Sequence, residues 1–178
     1  MIDVYELPYT SDFYSSRPLL ILDRDSTIIR DRGYTWRVDD LDFIPGALDS
    51  LKFAKQNNFT VALATNQSGL GRGFFSLADY VQFSNQLVHE VAKNGGRIDF
   101  IATCPHLPID NCVCRKPKPG LVNFLLRKFN VEESRAILVG DSESDIQAGR
   151  TAGISSHLAT GSEIKNQVNE WLKQNDYH

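Results

Sequence analysis

The feature that most constrains the fold is a regular alternation of short apolar runs with longer segments of helical period. The runs LLILD at 19–23, TVALAT at 60–65 and AILVGD at 136–141 have the length and composition of strands buried on both faces. Segments with helical spacing of apolar residues separate them. This rhythm predicts a three-layer α/β fold, in which a parallel sheet is covered by helices on both sides.

The same reading predicts where the other helices and strands lie. Ser76 with Asp79 three residues later is a typical start for the helix that follows the second strand. The remaining predicted elements are strands at 98–104 and 154–159, helices near 47–57, 77–94, 120–129 and 143–152, and a polar helix towards the C-terminus.

The chain reads as one domain with a short leading segment. Its 178 residues are 42% hydrophobic and 23% charged, which is ordinary for a single globular core. No internal repeat or Pro/Gly/Ser-rich linker divides it. We therefore expect an N-terminal extension at 1–18 and one domain at 19–178, with a polar loop at 104–114.

Charge and hydropathy exclude several classes of partner. The formal net charge is −3 and the isoelectric point is about 5.8, so the sequence offers no concentrated basic surface for nucleic acid or an anionic membrane. No apolar stretch approaches the roughly 20 residues needed to cross a bilayer, and the acidic start does not resemble a signal peptide. We expect a cytoplasmic monomer.

Three cysteines and one histidine crowd into the polar loop. Cys104, His106, Cys112 and Cys114 form a complete tetrahedral ligand set for zinc, with no position left for substrate or water. The alternative is a group of unrelated buried cysteines. A closed site of this kind predicts a structural zinc ion that fixes the loop and holds Arg115 and Lys116 near the active site.

Polar residues follow several predicted strands at the point where each strand ends. Ligands of open α/β sheets bind beyond the carboxyl ends of the strands, so these residues are expected to share one crevice. They are Asp23, Arg24 and Asp25, then Thr65 and Asn66, then Gly140 and Asp141, with Lys116 just before another predicted helix.

The motifs at these positions, in order, are DRDST at 23–27, ATN at 64–66, Lys116 and GDSESD at 140–145. Together they resemble the motifs of the haloacid dehalogenase (HAD) superfamily of phosphatases, over residues 19–154. The resemblance implies a HAD-like, Rossmann-type domain without a separate cap domain. It also implies a Mg²⁺-dependent phosphomonoester hydrolase.

The resemblance assigns a role to each motif. Asp23 would be the nucleophile that forms an aspartyl phosphate, and Asp25 would transfer protons to the leaving group and from water. Thr65 and Lys116 would hold the phosphoryl oxygens. Mg²⁺ would be bound by the side chains of Asp23 and Asp141 and by the backbone carbonyl of Asp25, offsetting the charge of the phosphate dianion.

One further residue of the last motif has an expected supporting role. Asp145 lies one helical turn beyond Asp141. We expect it to orient Lys116 or a metal-bound water rather than to bind the metal directly.

The zinc loop narrows the resemblance further. CPH followed by CVCRKPKPG is similar to a subgroup that contains D-glycero-D-manno-heptose 1,7-bisphosphate 7-phosphatases and histidinol-phosphate phosphatases. DRGY at 31–34, TNQSGLGRG at 65–73 and RKPKPG at 115–120 look like the heptose enzymes. The implied activity is removal of the 7-phosphate in the biosynthesis of nucleotide-activated heptose for surface polysaccharide such as lipopolysaccharide.

This subgroup also implies the substrate-binding residues. Arg115 would contact the distal phosphate, because a planar guanidinium suits that group. The other implied substrate contacts are Asp31, Arg32, Gly33, Tyr34, Asn66, Gln67, Ser68 and Ser142.

Two departures from the family pattern bear on specificity, and several alternatives remain. Ser142 stands where many members have lysine, and Ser26 replaces the commoner glycine. A histidinol-phosphate phosphatase or another small sugar-phosphate phosphatase shares most of the motifs. A polynucleotide 3′-phosphatase does not suit an acidic chain, and a zinc-stapled binding module without activity would not need the retained acidic residues.

Overall fold

A six-stranded sheet forms the centre of the part of the chain that the computed structural model describes, residues 4–10 and 17–175. The strands are β1 (Tyr5–Pro8), β2 (Leu19–Leu22), β3 (Thr60–Asn66), β4 (Phe100–Cys104), β5 (Ala136–Gly140) and β6 (Ser155–Leu158). Their order across the sheet is β1-β4-β3-β2-β5-β6. All neighbours pair in parallel except β1, which is antiparallel to β4.

The described residues form six α-helices; the short one at Ser68–Gly71 was not predicted, and the others agree with the sequence prediction to within a few residues. The six are α1 (Ala47–Gln56), α2 (Ser68–Gly71), α3 (Leu77–Lys93), α4 (Gly120–Phe129), α5 (Glu143–Thr151) and α6 (Glu163–Gln174). The predicted start of α3 is confirmed, since Ser76 and Asp79 form a capping box. None of the helices in the described ranges is long and apolar enough to cross a membrane.

Strand β2 shows why the sheet needs helices on both faces. Leu20 and Leu22 point into a core that is completed by residues of α1, α3 and α6. Leu19 and Ile21 point into a second core that is completed by α4 and α5. All four side chains are fully buried, and burying each contributes about 1.5–3 kcal/mol. The three-layer α/β prediction is confirmed.

Strand β1 was not predicted. It pairs with β4 in the register Tyr5 to Thr103, so part of the segment interpreted as an N-terminal extension joins the edge of the sheet. The periodicity gave no signal because this strand is short and largely exposed and ends in Pro8, features typical of an edge strand. The boundary at residue 18 stays a prediction.

Candidate active site

Polar side chains from four segments meet at one cavity of about 350 Å³ at the carboxyl edge of the sheet. Asp23 follows β2, Thr65 and Asn66 end β3, and Asp141 follows β5. These three strands are parallel neighbours, so their carboxyl ends bring the side chains together. Lys116 reaches the same cavity from the loop before α4. The sequence analysis predicted that these five residues share one crevice, and all five line this cavity.

Lys116 connects two carboxylates inside this cavity. Its ammonium group is buried and donates hydrogen bonds to Oδ1 of Asp23 and Oδ1 of Asp145, each at 2.5 Å. Burial alone would lower the pKa of Lys116, but the charges of the two carboxylates outweigh burial and raise it. Lys116 is therefore held as a cation against Asp23.

Asp23 is more difficult to ionise than an ordinary aspartate. Burial raises its pKa to about 7; Lys116 opposes the shift, while the charges of Asp145 and Asp25 add to it. A carboxylate nucleophile must be ionised to attack phosphorus. The ammonium group of Lys116 and the guanidinium of Arg24 carry two positive charges against four carboxylates, so the site favours a further cation. The four carboxylates are those of Asp23, Asp25, Asp141 and Asp145.

Asp25 is held by two neighbours. Nη2 of Arg24 lies 2.9 Å from each of its carboxylate oxygens, and Nε lies 3.1 Å from Oδ1. Nε2 of Gln67 donates to Oδ2 at 2.6 Å and to Oγ1 of Thr65 at 2.8 Å. The carboxylate of Asp25 and the hydroxyl of Thr65 are thus fixed relative to each other through Gln67.

Asn66 ties the end of β3 to the loop that carries Lys116. Its side-chain amide donates to the carbonyl oxygen of Lys116 and accepts from the backbone N–H of the same residue, both at 3.1 Å. These two hydrogen bonds resemble the backbone pairing between adjacent strands. Asn66 lines the cavity and also fixes the backbone from which Lys116 projects.

The turn after Asp25 shows why glycine is the commoner residue at position 26. Ser26 has φ of 59°, in the left-handed region that favours glycine. Its N–H donates to the carbonyl of Ile29 at 2.8 Å, which closes a tight turn at the cavity wall. A serine here bears a strain of about 1–2 kcal/mol that the commoner glycine would avoid.

Asp145 has the position expected for a residue that orients Lys116. Its Oδ1 accepts from Lys116, and its Oδ2 accepts from the N–H and the hydroxyl of Ser142 at 3.2 and 2.7 Å. A Cβ on Gly140 would lie 2.4 Å from this carboxylate. The glycine of GDSESD is therefore required for the close approach of Asp145 to β5.

Ser144 lines the cavity, although the sequence analysis did not select it. Its hydroxyl lies 2.8 Å from the hydroxyl of Ser142, in the first turn of α5. Ser26 also lines the cavity, and it was noted only as a substitution. The signal for Ser144 was its position two residues after Ser142 at the start of a helix that points at the crevice.

Three residues of the predicted substrate loop line the cavity, namely Asp31, Gly33 and Tyr34. Oδ1 of Asp31 accepts from the N–H of Gly33 at 2.9 Å, so the loop folds back over its own side chain. Tyr34 has φ of 61° and makes an edge-to-face contact with Phe74 at 4.8 Å between ring centroids. Gln67 and Ser142 line the same cavity.

Three other predicted substrate contacts lie outside the cavity lining. Arg32 is directed to Asp42, with 3.2 Å between the guanidinium and carboxylate. Arg115 donates from Nη1 to the carbonyl of His106 at 3.3 Å, and Ser68 is buried at the first residue of α2. The roles assigned to these three residues stay predictions.

The four residues of the predicted zinc site come together beside β4. The ligand atoms of Cys104, His106, Cys112 and Cys114 all lie within 4.8 Å of one another. Their sulfur atoms are 3.3–3.6 Å apart, close to the separation of about 3.8 Å that a tetrahedral site with Zn–S bonds of 2.3 Å requires. Burial raises the pKa of the Cys104 thiol, a shift that a bound cation would reverse. The cluster has the ligands and the size to hold zinc.

The acidic side chains of the cavity also fit a magnesium ion. Burial raises the pKa of Asp141, and the charge of Asp145 adds to the shift. Asp23 and Asp141 therefore both carry charge that the protein compensates only in part. Hard oxygen ligands of this type suit Mg²⁺. The side chains of Asp23 and Asp141, with the backbone carbonyl of Asp25, would hold it.

Comparison with known proteins agrees with this geometry. Residues 113–177 match a HAD-hydrolase-like family model. The chain is 43% identical over 131 residues to D-glycero-β-D-manno-heptose-1,7-bisphosphate 7-phosphatase of Neisseria meningitidis, covering 73% of this chain and 70% of that protein. It is 35% identical over 158 residues to D-glycero-α-D-manno-heptose-1,7-bisphosphate 7-phosphatase of Campylobacter jejuni, covering 89% of this chain and 86% of that protein.

A solved structure is also similar to this chain in fold and in sequence. The D,D-heptose 1,7-bisphosphate phosphatase of B. bronchiseptica, crystallised with magnesium and phosphate, superposes with a TM-score of 0.76 at 38% identity. The match covers 85% of this chain and 86% of that one. The motifs, the fold and these relatives agree, and this chain belongs to the HAD-like hydrolases, in the family of the D-glycero-D-manno-heptose-1,7-bisphosphate 7-phosphatases.

Proposed function

We propose that this chain hydrolyses the 7-phosphate of D-glycero-D-manno-heptose 1,7-bisphosphate through an aspartyl phosphate on Asp23. The observation that carries the proposal is the buried ammonium group of Lys116, held at 2.5 Å from both Asp23 and Asp145 in the cavity that also contains Asp25. This arrangement supports attack by a carboxylate on an anionic phosphoryl group. The relatives named above support the choice of substrate.

The proposed reaction has two steps. In the first, a carboxylate oxygen of Asp23 bonds to phosphorus while the bond from phosphorus to the sugar oxygen breaks, and Asp25 gives the leaving alkoxide a proton. In the second, Asp25 takes a proton from water, which attacks phosphorus and releases inorganic phosphate and free Asp23. Lys116 and Thr65 hold the phosphoryl oxygens throughout. Bound Mg²⁺ supplies positive charge that offsets the phosphate dianion.

The loop residues would select the sugar. Asp31, Gly33 and Tyr34 line the cavity that also contains Asp25, which supports their proposed contact with a substrate whose phosphate lies near Asp23. Arg115 follows the zinc cluster directly and is proposed to bind the distal phosphate. The side chain would have to leave the carbonyl of His106, a contact of 3.3 Å that a phosphate would readily replace.

We also propose that the protein acts as a monomer in the cytoplasm and does not bind nucleic acid. The cavity is built by residues of one chain, and the net charge is −3. The three thiols of the zinc cluster suit a reducing compartment, because zinc ligation requires them unoxidised. Light scattering of the purified protein would test the monomer.

The experiment for the substrate is phosphate release from a panel of phosphate esters. The panel contains the α and β anomers of heptose 1,7-bisphosphate, histidinol phosphate and fructose 1,6-bisphosphate. We expect one of the heptose anomers to give a kcat/KM at least about 10-fold higher than that of histidinol phosphate, since binding a second phosphate contributes one or more charge-assisted hydrogen bonds. Fructose 1,6-bisphosphate also has two phosphates, so a lower kcat/KM for it would measure selection of the sugar itself. A higher kcat/KM for histidinol phosphate would contradict the proposal and favour that alternative.

A further inference from the structure

Arg24 is the largest fully buried side chain among the described residues. A guanidinium taken out of water loses several kcal/mol of hydration unless its partners replace it. Arg24 lies between the proposed nucleophile Asp23 and the proposed acid/base Asp25, and the reaction as written above does not use it. Its contacts therefore indicate what it does.

The guanidinium joins two parts of the active site. Nη2 donates to both carboxylate oxygens of Asp25 at 2.9 Å and to the backbone carbonyl of Thr35 at 2.8 Å. Thr35 ends the loop on which Tyr34 lines the cavity. The hydroxyl of Thr35 in turn accepts from the N–H of Arg32 at 2.9 Å, so the whole loop is fixed at this point.

Helix α3 holds the guanidinium in place. The ring of Phe83 lies 5.0 Å from its central carbon and the ring of Tyr80 lies 5.9 Å from it, distances typical of cation–π contacts. Within the described residues, Nη1 of Arg24 has no hydrogen-bond partner. The surroundings thus fix the orientation of Arg24 rather than satisfy all its donors, which is the pattern of a group kept for its effect on a neighbour.

We propose that Arg24 is a positioning residue that holds the carboxylate of Asp25 in the orientation for proton transfer and ties it to the substrate loop through Thr35. The inference rests on the proposed function, in which Asp25 protonates the leaving alkoxide. Gln67 holds the same carboxylate from the other side at 2.6 Å. Two directed contacts leave Asp25 little rotational freedom.

The inference has a signature that a purely structural role lacks. The ratio kcat/KM reports the steps up to release of the first product, so it includes protonation of the leaving group but not hydrolysis of the aspartyl phosphate. A sugar alkoxide needs that proton, whereas p-nitrophenolate leaves without it. Loss of the Arg24 contact should therefore lower kcat/KM for an alkyl phosphate and leave kcat/KM for p-nitrophenyl phosphate nearly unchanged.

The test compares Arg24→Met with Asp25→Asn, using the best alkyl phosphate of the panel and p-nitrophenyl phosphate. We expect Arg24→Met to lower kcat/KM about 10- to 10²-fold for the alkyl phosphate, part of the 10²- to 10⁴-fold that a general acid supplies, and less than about 3-fold for the aryl phosphate. Arg24→Lys should recover part of the loss. Adding Arg24→Met to Asp25→Asn should cause no further decrease in kcat/KM for the alkyl phosphate.

A second pair of variants keeps the test decisive if Arg24→Met does not fold. Phe83→Leu removes the ring nearest the guanidinium, and Phe59→Leu removes an equally buried ring that packs on Trp171 instead. We expect a selective loss of about 3- to 10-fold for the alkyl phosphate with Phe83→Leu and no selectivity with Phe59→Leu.

The outcomes separate the inference from the proposed function. If Asp25→Asn shows the leaving-group selectivity but Arg24→Met or Phe83→Leu lowers both substrates equally, Arg24 is only structural and the inference is overturned. If Asp25→Asn itself shows no selectivity, the proposed role of Asp25 fails, and the inference fails with it. A larger loss of kcat/KM for the alkyl phosphate than for the aryl phosphate, in Asp25→Asn and in the Arg24 or Phe83 variant, supports both the proposed role of Asp25 and the inference.

Discussion

Carboxylates lie at the two opposite edges of the sheet, with Asp23 and Asp99 buried and Asp141 more exposed, and the protein surrounds them differently. Asp99 precedes β4 at the amino edge, where it accepts hydrogen bonds from Arg97 and from the backbone N–H of Val61 at 2.8 Å. At the carboxyl edge, Asp23 accepts one hydrogen bond from the described residues, from Lys116. Among the described residues, the side chain of Asp141 accepts one long hydrogen bond of 3.5 Å, from the hydroxyl of Thr27.

The difference separates a structural carboxylate from carboxylates arranged to bind ligands. At the amino edge, an arginine and a backbone group complete the hydrogen bonds of Asp99, so nothing further is needed. At the carboxyl edge, four acidic groups outnumber the two cations that touch them, Lys116 and Arg24. Burial raises the pKa of Asp23, and partial burial raises that of Asp141. A bound cation such as Mg²⁺ would stabilise the ionised form of these groups. The following predictions test this contrast.

The largest effect is expected for Asp23→Asn. The amide preserves the volume but removes the nucleophile and one charge of the magnesium site, so kcat should fall by at least about 10³-fold. The free energy of unfolding should not decrease, because an ionised group that the protein disfavours is removed. Steady-state kinetics and urea unfolding would measure the two quantities. Activity near that of the unmodified protein would contradict the covalent mechanism.

The next effect concerns the zinc cluster, which lies at the same edge as the cavity. Cys112→Ser should release about one zinc per chain, raise KM for a bisphosphate by loosening Arg115, and lower kcat by moving Lys116, about 10- to 100-fold in kcat/KM. Elemental analysis and kinetics would check this. Val113→Ser is the matched control, since Val113 is exposed between two of the ligands. Full activity without zinc would show that the loop does not position the site.

A smaller effect, on stability alone, is expected at the amino edge. Asp99→Asn leaves Arg97 without its carboxylate partner and should lower the free energy of unfolding by about 1–3 kcal/mol, with kcat/KM unchanged. Glu170→Gln, an exposed charge removed from α6, is the control and should be neutral within about 0.5 kcal/mol. A fall in kcat/KM without loss of stability would mean that the two edges are not separate in function.

The last effect is a dependence of stability on pH in Mg²⁺-free buffer. The pKa of Asp23 is about 7 in the folded protein and near 3.8 without these surroundings, so the folded state keeps a proton that the unfolded state loses. This group therefore makes the free energy of unfolding fall as pH rises from about 4 to 7, by at most about 1.4 kcal/mol per pH unit.

Adding Mg²⁺ should flatten this dependence, because a cation favours the ionised carboxylate. Urea unfolding between pH 5 and 7, with and without Mg²⁺, would measure the slope. Asp23→Asn is the matched variant, and its slopes with and without Mg²⁺ should be equal. Equal slopes with and without Mg²⁺ in the unmodified protein would contradict the prediction that a bound cation stabilises the ionised form of Asp23.

Much of the fold and part of the site followed from local patterns. The apolar runs at β2, β3 and β5 are buried on both faces, and this is why their period identified a parallel sheet. The polar residues directly after these strands were certain to lie at one edge once the strands were parallel. The zinc ligands were recognisable because all four lie within one short loop.

The tertiary structure decided which side chains meet within that crevice. The bridge from Lys116 to Asp23 joins residues 93 positions apart, and its second contact with Asp145 spans 29. Arg24 pairs with Asp25 rather than pointing to solvent, because the rings of α3 enclose it. Arg32 and Arg115 have hydrogen-bond partners outside the cavity, so the sequence motifs that contain them do not determine where their side chains point.

The amino-acid sequence alone predicts the order of most elements, the edge where polar residues collect and the Cys/His cluster that could hold zinc. These depend on hydrophobic period and on spacing along the chain, which are local. Three findings required the folded structure: β1 joins the sheet, Ser144 reaches the cavity, and Arg24 and Gln67 hold Asp25. Those contacts depend on packing between segments distant in sequence, where a hydrogen bond forms only if the backbone brings donor and acceptor within about 3 Å.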